Sequence, residues 1–357
     1  MVKSLRSLFV SLSAILLVLA GCGDDEASVL DSPLTVVVTT NILGDVVERL
    51  VGDQLVVETI MPAGADPHLF QASAKQVNQM MSAAVIVANG ANFEEGLLDI
   101  LSTVEGDGVA LFEAMSSVQA LEFGSDDHDD HDDHDDHDDH DKDDADHDDH
   151  DDHDERDKDD ADHDDHDDHA GHNHTGSDPH FFTDPLQMIE VVEGLVGFLT
   201  ANVDGLDSDL LKSNADGYVA QLQKLHAEVD DLLGEIPSDK RVLVTNHEVF
   251  SYFAKRYDFK VVATVIPSSS TLDSASAKGL AELIEVIESY DVPAIFADVA
   301  SSDVLASTLA DEIGDIKVID LYSESLGLEG SGAATYLDMI RTNSRLISEA
   351  LTDHNDQ

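Results

Sequence analysis

LTVVVTTNILGDVVERLVGDQLVVETIM, from Leu34 to Met61, holds the pattern that decides the fold. Leu34 to Thr39 is a short β-branched run and reads as a buried strand. Asn41 to Val51 places Ile42, Val46, Val47 and Leu50 at helical spacing, with Gly52 standing as a stop. Leu55 to Met61 reads as a second strand. The same alternation continues outward. A loop over Pro62 to His68 leads to a helix over Ser73 to Met81 with Ser73 as its N-cap. A strand over Ala84 to Ala88, a helix over Phe93 to Leu101 and a strand over Gly108 to Leu111 follow. Strands alternating with helices predict a parallel sheet covered on both faces.

The second half of the chain repeats the pattern. Pro185 to Thr200 reads as a helix. Asp207 to Leu233 reads as one long helix of about 40 Å at 1.5 Å per residue, closed by Pro237. Strand, helix, strand then resume over Arg241 to Thr245, Val249 to Tyr257 and Val261 to Val265. A helix over Ala275 to Tyr290, a strand over Ala294 to Ala297 and a helix over Ser302 to Ile313 come next. A strand over Lys317 to Leu321 and a helix over Ala334 to Leu351 complete it. The expected class is therefore α/β, with two Rossmann-like lobes joined by a long spine helix. The expected division is a first lobe over 34–206, a linking helix over 207–235 and a second lobe over 236–357. A rigid spine of this length predicts small lobe movement.

The N-terminus carries a targeting signal. Lys3 and Arg6 form a basic start, and Leu8 to Leu19 is an apolar run too short to span a bilayer. Leu19-Ala20-Gly21-Cys22 resembles the lipobox of bacterial lipoproteins, whose Cys is lipidated and becomes the mature N-terminus. Cys22 is the only Cys in the chain, so no disulfide forms within it. The expected arrangement is a signal peptide over 1–21, a polar tether over 22–33 and a soluble, extracytoplasmic, lipid-anchored remainder, expected to be a monomer.

Charge narrows the partners. The net charge is −58 over 357 residues, which excludes nucleic acid, whose phosphates need Lys and Arg to neutralise them. Much of the charge lies in one tract. Residues 126–174 hold 13 of the 18 His together with 28 Asp and Glu and three basic residues. D-D-H repeats from Asp126 to His140, and DKDDADHDDHDDH occurs twice, at Asp141 to His153 and at Asp157 to His169. Almost nothing apolar is present to offset the entropy of ordering, so the tract is expected to be a disordered loop. Imidazole and carboxylate together point to collection of divalent metal ions.

Five His remain outside the tract: His68, His180, His226, His247 and His354. His68 follows a strand, His180 precedes a helix, and His247 lies just beyond a strand at the expected start of a helix. Ligands of parallel sheets bind beyond the carboxyl ends of the strands, so these three imidazoles can converge on one ion between the lobes. His226, in mid-spine, and His354, in the tail, read as surface residues.

The sequences around these His resemble the cluster A-I solute-binding proteins, the metal receptors of zinc and manganese ABC importers. Gly64-Ala65-Asp66-Pro67-His68 resembles that family's G-x-D/S-P-H loop. Asp178-Pro179-His180-Phe181-Phe182-Thr183-Asp184-Pro185 resembles its D-P-H-x-W-x-D-P, with Phe182 for the usual Trp. His247-Glu248-Val249-Phe250-Ser251-Tyr252-Phe253 resembles its H-x-A-F-x-Y-F. Ile295-Phe296-Ala297-Asp298 and Leu321-Tyr322-Ser323-Glu324-Ser325-Leu326 correspond to its I-F-A-E and L-F-x-D-S-L. The likeness covers essentially the whole mature chain, and an acidic His-rich insertion before the second His also marks zinc-specific members.

The resemblance implies that His68, His180 and His247 are metal ligands. Glu324 stands where many members have an Asp as fourth ligand, one methylene longer, and Asp298 is implied to support the site from behind. Asp66, Asp178 and Asp184 are candidates to hold the imidazoles by their other ring nitrogens. Three imidazoles and a carboxylate suit tetrahedral Zn²⁺, whereas manganese prefers oxygen-rich sites. The implied protein is not an enzyme. It captures Zn²⁺, with Mn²⁺ as the alternative, for an ABC permease and its ATPase. Two rival readings are a secreted zinc hydrolase, for which Glu248 is the only candidate base, and a metal-buffering adhesin.

Overall fold

The structure, a computed structural model, describes residues 34–122, 176–314 and 316–352. The signal peptide, Cys22, the tether, the tract over 126–174 and His354 lie outside the described residues. The first sheet contains β1 (Thr35–Val38), β2 (Val56–Thr59), β3 (Val85–Ala88) and β4 (Ala110–Glu113), all parallel, in the order β2-β1-β3-β4. Helices α1 (Asn41–Val51), α2 (Ala74–Met81) and α3 (Leu98–Gly106) connect them. Next come α4 (Pro185–Asn202) and the spine, α5 (Ser208–Gly234). The second sheet contains β5 (Val242–Thr245), β6 (Lys260–Thr264), β7 (Ala294–Asp298) and β8 (Lys317–Leu321). It is also all parallel, in the matching order β6-β5-β7-β8. Its helices are α6 (Ser251–Tyr257), α7 (Ala277–Tyr290), α8 (Val304–Ile313) and the closing α9 (Tyr336–Thr352). The expected α/β class with two parallel sheets is what forms.

Strand alternation explains how the sheets bury both faces. Side chains of neighbouring residues point to opposite faces of a strand. Val36 and Val38 of β1, with Val85 and Val87 of β3, face one large central core. Val37, Ile86 and Ala88 face a separate core under α2 and α3, with Met80, Leu101 and Val104. The second sheet divides in the same way. Leu243 and Phe296 join the central core, while Val244, Ile295 and Ala297 pack against Leu283, Ile287 and Leu309 of α7 and α8. The two halves thus share one core and keep one private core each.

The spine runs through the shared core. Its buried residues, Leu211, Ala215, Tyr218, Leu222, Leu225, Val229 and Leu233, recur every three or four positions and so form one face. That face packs against α1, α4 and α9. Leu222 is fully buried, and Leu222→Ala there should cost about 2–5 kcal/mol of stability. Asp207 caps the helix, its carboxylate accepting from the amides of Asp209 and Leu210. The helix therefore starts at Ser208, and Asp207 stands outside it.

Several other helices start later than expected, among them α7, α8 and α9 by two residues each, and two of the late starts lie near the site. The helix expected from Phe93 begins only at Leu98, after a 3-10 turn over Glu95–Leu97. Buried Glu94 accepts from the Asn89 and Gly90 amides and from the Thr39 hydroxyl at 2.6 Å, which holds the preceding chain in a loop. The helix expected from Val249 begins at Ser251. The carbonyl of His247 accepts from the Thr245 hydroxyl (2.8 Å) and the Val249 amide (2.9 Å), so His247 lies in a tied loop and not at a helix start.

Candidate metal centre

Three loops at the carboxyl ends of strands and one segment leading into α4 deliver four side chains to one point. His68 lies on the loop after β2, His247 on the loop after β5 and Glu324 on the loop after β8. His180 arrives on the segment that leads into α4, which joins the sheet end through Asn89, whose amide nitrogen donates to the Pro179 carbonyl at 2.9 Å. His68, His180, His247 and Glu324 are all buried, and each offers a ligand atom within 4.8 Å of the others. Glu324 Oε1 is 2.8 Å from His68 Nε2 and 3.2 Å from Nε2 of both His180 and His247. The ring centroids are 5.5–6.2 Å apart. The two halves thus contribute two of the four residues each.

Local sequence explains the two D-P-H loops. An Asp side chain readily accepts from the backbone amide two residues on, and the intervening Pro fixes its own φ. Asp66 accepts from the His68 amide and Asp178 from the His180 amide, both at 2.9 Å. Gly64 takes the left-handed conformation (φ +78°) just before the first loop, and its amide donates to the Ser325 hydroxyl at 2.8 Å. Asn41 reinforces that contact. It donates to Ser325 Oγ at 2.8 Å and accepts from the Leu326 amide at 2.7 Å. The first His loop and the Glu324 loop are thereby fastened across the two halves.

The rings are held from behind, and not by all the residues expected. Asp178 Oδ1 takes His180 Nδ1 at 2.7 Å. His68 Nδ1 instead meets Glu95 Oε1 at 3.1 Å, because Asp66 accepts from the Thr271 hydroxyl at 2.7 Å with its other oxygen. Asp184 holds no ring; it caps α4 and pairs with Arg256 at 2.8 Å. Asp298 lies behind Glu324 and accepts from the Ser323 amide and hydroxyl and from the Ala300 amide, which fixes the turn before Glu324. Phe182 is buried and packs edge-on to the His180 and Phe93 rings. His226 is not a plain surface residue: half-buried, its ring lies 5.7 Å from that of Tyr257. Glu95, Asn89 and Thr271 escaped sequence reading, since each reaches the site only through tertiary contact.

The electrostatics favour a cation. Burial alone raises the Glu324 carboxyl, but the facing His247, His180 and His68 imidazoles overcome it and hold it well below its usual range. Burial opposes a charged His68, yet Glu324 and then Glu95 raise it to about 10. Burial also opposes a charged His180, and Asp178 and Glu324 raise it. Burial and the Glu324 charge lift Asp298 to about 6. His247 stands apart: its Nδ1 lacks a hydrogen-bond partner among the described residues, as does Glu324 Oε2, and its Nε2 has only the 3.2 Å approach of Glu324 Oε1. Fully buried polar atoms of this kind carry a desolvation cost that coordination of an ion would offset. The donor set, three imidazole nitrogens and a carboxylate, fits a divalent transition metal.

The family model described as zinc-uptake complex component A, periplasmic, matches residues 36–350. The manganese-binding lipoprotein MntA of Bacillus subtilis is 27% identical over 93% of this chain and 95% of its own length. The zinc-binding lipoprotein AdcA of Streptococcus pneumoniae is 26% identical over 97% of this chain, which spans 61% of that protein. Among solved structures, the periplasmic zinc-binding protein TroA from Treponema pallidum superposes with a TM-score of 0.71 at 23% identity, over 90% of this chain and 99% of its own.

Proposed function

We propose that this chain, which belongs to the family of the periplasmic zinc-uptake complex component A, captures Zn²⁺ at His68, His180, His247 and Glu324 and hands it to an ABC permease. Members of the family are substrate-binding components of ABC importers and not enzymes, which removes the hydrolase reading and leaves Glu248 without a catalytic role. The observation that carries the proposal is the convergence of three buried imidazoles and one carboxylate from four separate loops. Nitrogen outnumbers oxygen three to one among the donors, which favours zinc in a tetrahedral site. Manganese is the second reading, favoured by the manganese-binding relative and by the oxygen donor of Glu324.

The division proposed is a first lobe over 34–206, a linking helix over 207–235 and a second lobe over 236–357. Cys22 is the proposed lipid attachment, and no helix among the described residues is long and apolar enough to cross a membrane. The proposed role of residues 126–174 is to raise the local metal concentration. The working partners are the permease and ATPase of the importer, and a monomer suffices for the site, since one chain supplies all four donors.

The test is metal content by mass spectrometry after purification from medium holding both zinc and manganese. The parent protein should carry tightly held zinc, and His247→Ala should lose it. Equal retention by that variant refutes the site. Deletion of residues 126–174 should lower the total metal bound and leave one tight site.

A further inference from the structure

One face of α6 grips both ends of the segment that carries His180. Tyr252 and Arg256 are four residues apart and so lie on the same side of the helix. The Tyr252 hydroxyl donates to the Asp178 carbonyl at 3.1 Å, two residues before His180. Arg256 pairs with the Asp184 carboxylate through Nε and Nη2, each at 2.8 Å, four residues after it. The Tyr252 hydroxyl also accepts from the Leu121 amide at 3.0 Å, and the Leu121 carbonyl accepts from the Asp178 amide at 2.7 Å. The hydroxyl thus closes a ring of hydrogen bonds around Asp178, the residue that orients the His180 imidazole.

The same helix is wired to His247. Helix α6 starts four residues after it, and no other element intervenes between them. His180 belongs to the chain's first half and His247 to its second, yet their rings are the nearest pair of the three, 5.5 Å between centroids. Among the described residues, the cation that meets the Asp184 carboxylate is Arg256 of the second half. We infer that Tyr252 and Arg256 are positioning residues that fasten His180 to His247 as a preassembled imidazole pair spanning the two halves. The incoming metal ion then meets two imidazoles already held side by side, 5.5 Å between ring centroids. This rests on the proposed metal site.

The test compares the full-length parent with Tyr252→Phe, Arg256→Lys and the double variant Tyr252→Phe/Arg256→Gln. Zinc affinity is read by competition with a chromogenic chelator, and the coordination of bound zinc by X-ray absorption. Loss of partners that orient a metal ligand should weaken zinc by roughly tenfold for Tyr252→Phe and more for the double variant. Arg256→Lys keeps the charge and loses the two-point contact, so its affinity should fall between the parent's and the double variant's. The count of imidazoles on zinc should drop from three to two in the double variant, while metal-free circular dichroism and melting stay near the parent's. A purely structural role moves melting and leaves the imidazole count at three, and that outcome overturns the inference. Parent-like affinity in the double variant overturns it as well. A parent that takes up no zinc refutes the metal site itself.

Discussion

Two loops of the molecule carry the same tripeptide, Asp66-Pro67-His68 and Asp178-Pro179-His180, and orient their imidazoles by different means. The backbone turn is common to both, with each Asp accepting from the His amide at 2.9 Å. Beyond it they part. Asp178 also takes the His180 ring nitrogen and is buried, its side chain 1% exposed. Asp66 turns its second oxygen to Thr271 in the other half, and the His68 ring passes to Glu95, whose side chain is 32% exposed. The lesson is that a tripeptide sets the local backbone, while tertiary surroundings decide which carboxylate tunes the ring. The second loop should therefore be the stiffer and the costlier to disturb.

The largest effect should come from the proposed ligands themselves. His180→Ala removes a nitrogen donor from a fully buried position, and zinc affinity should fall by well over about a hundredfold, beyond what an orienting partner supplies. Chelator competition reads it, and a change under tenfold contradicts the role assigned. Next is Asp178→Ala, which strips both the turn and the ring partner. Its effect should approach about a hundredfold, the upper end for an orienting carboxylate. If Glu95→Gln proves the more damaging of the two, the ranking of the loops is reversed.

Acidification probes the first loop. Burial works against a charged His68, but Glu324 and Glu95 raise it to about 10. A proton therefore occupies the metal-free ring at neutral pH, and the ion must displace it. Affinity should rise with pH, about tenfold per unit for each proton released. Titrations in weakly and strongly buffered solution at about pH 6, 7 and 8 check both the slope and the released proton, and a flat profile speaks against the assignment. Glu95→Gln, at a partly exposed position, should weaken zinc by only about tenfold. The smallest change expected is Thr271→Val, which removes one hydrogen bond worth about 1 kcal/mol and should shift affinity by a few-fold.

How far the sequence spoke for itself follows the same division between local and tertiary causes. Strand and helix alternation was legible because β-branched runs such as Val36 to Val38 and the spaced apolar face of α1 carry their own period. The spine was legible to within a residue at each end, since Asp207 is a capping residue and Pro237 a breaker. His68, His180 and His247 were legible through their loops, and Glu324 through its resemblance to an Asp position. Glu95 was not, because the helix expected to start at Phe93 gives way to a loop under the pull of buried Glu94. Nor was Thr271, 205 residues from Asp66 in the chain, or the Tyr252 and Arg256 grip. The shared central core was hidden too, since alternation states which residues face each side of a sheet and not which core lies there.

Anomalous scattering at the zinc edge from crystals of the metal-loaded protein addresses the central claim directly. One strong peak is expected among the three loops and Glu324, with Nε2 of His68, His180 and His247 each about 2.0–2.1 Å from the ion. A peak elsewhere, or one reached by fewer than three of these imidazoles, contradicts the account.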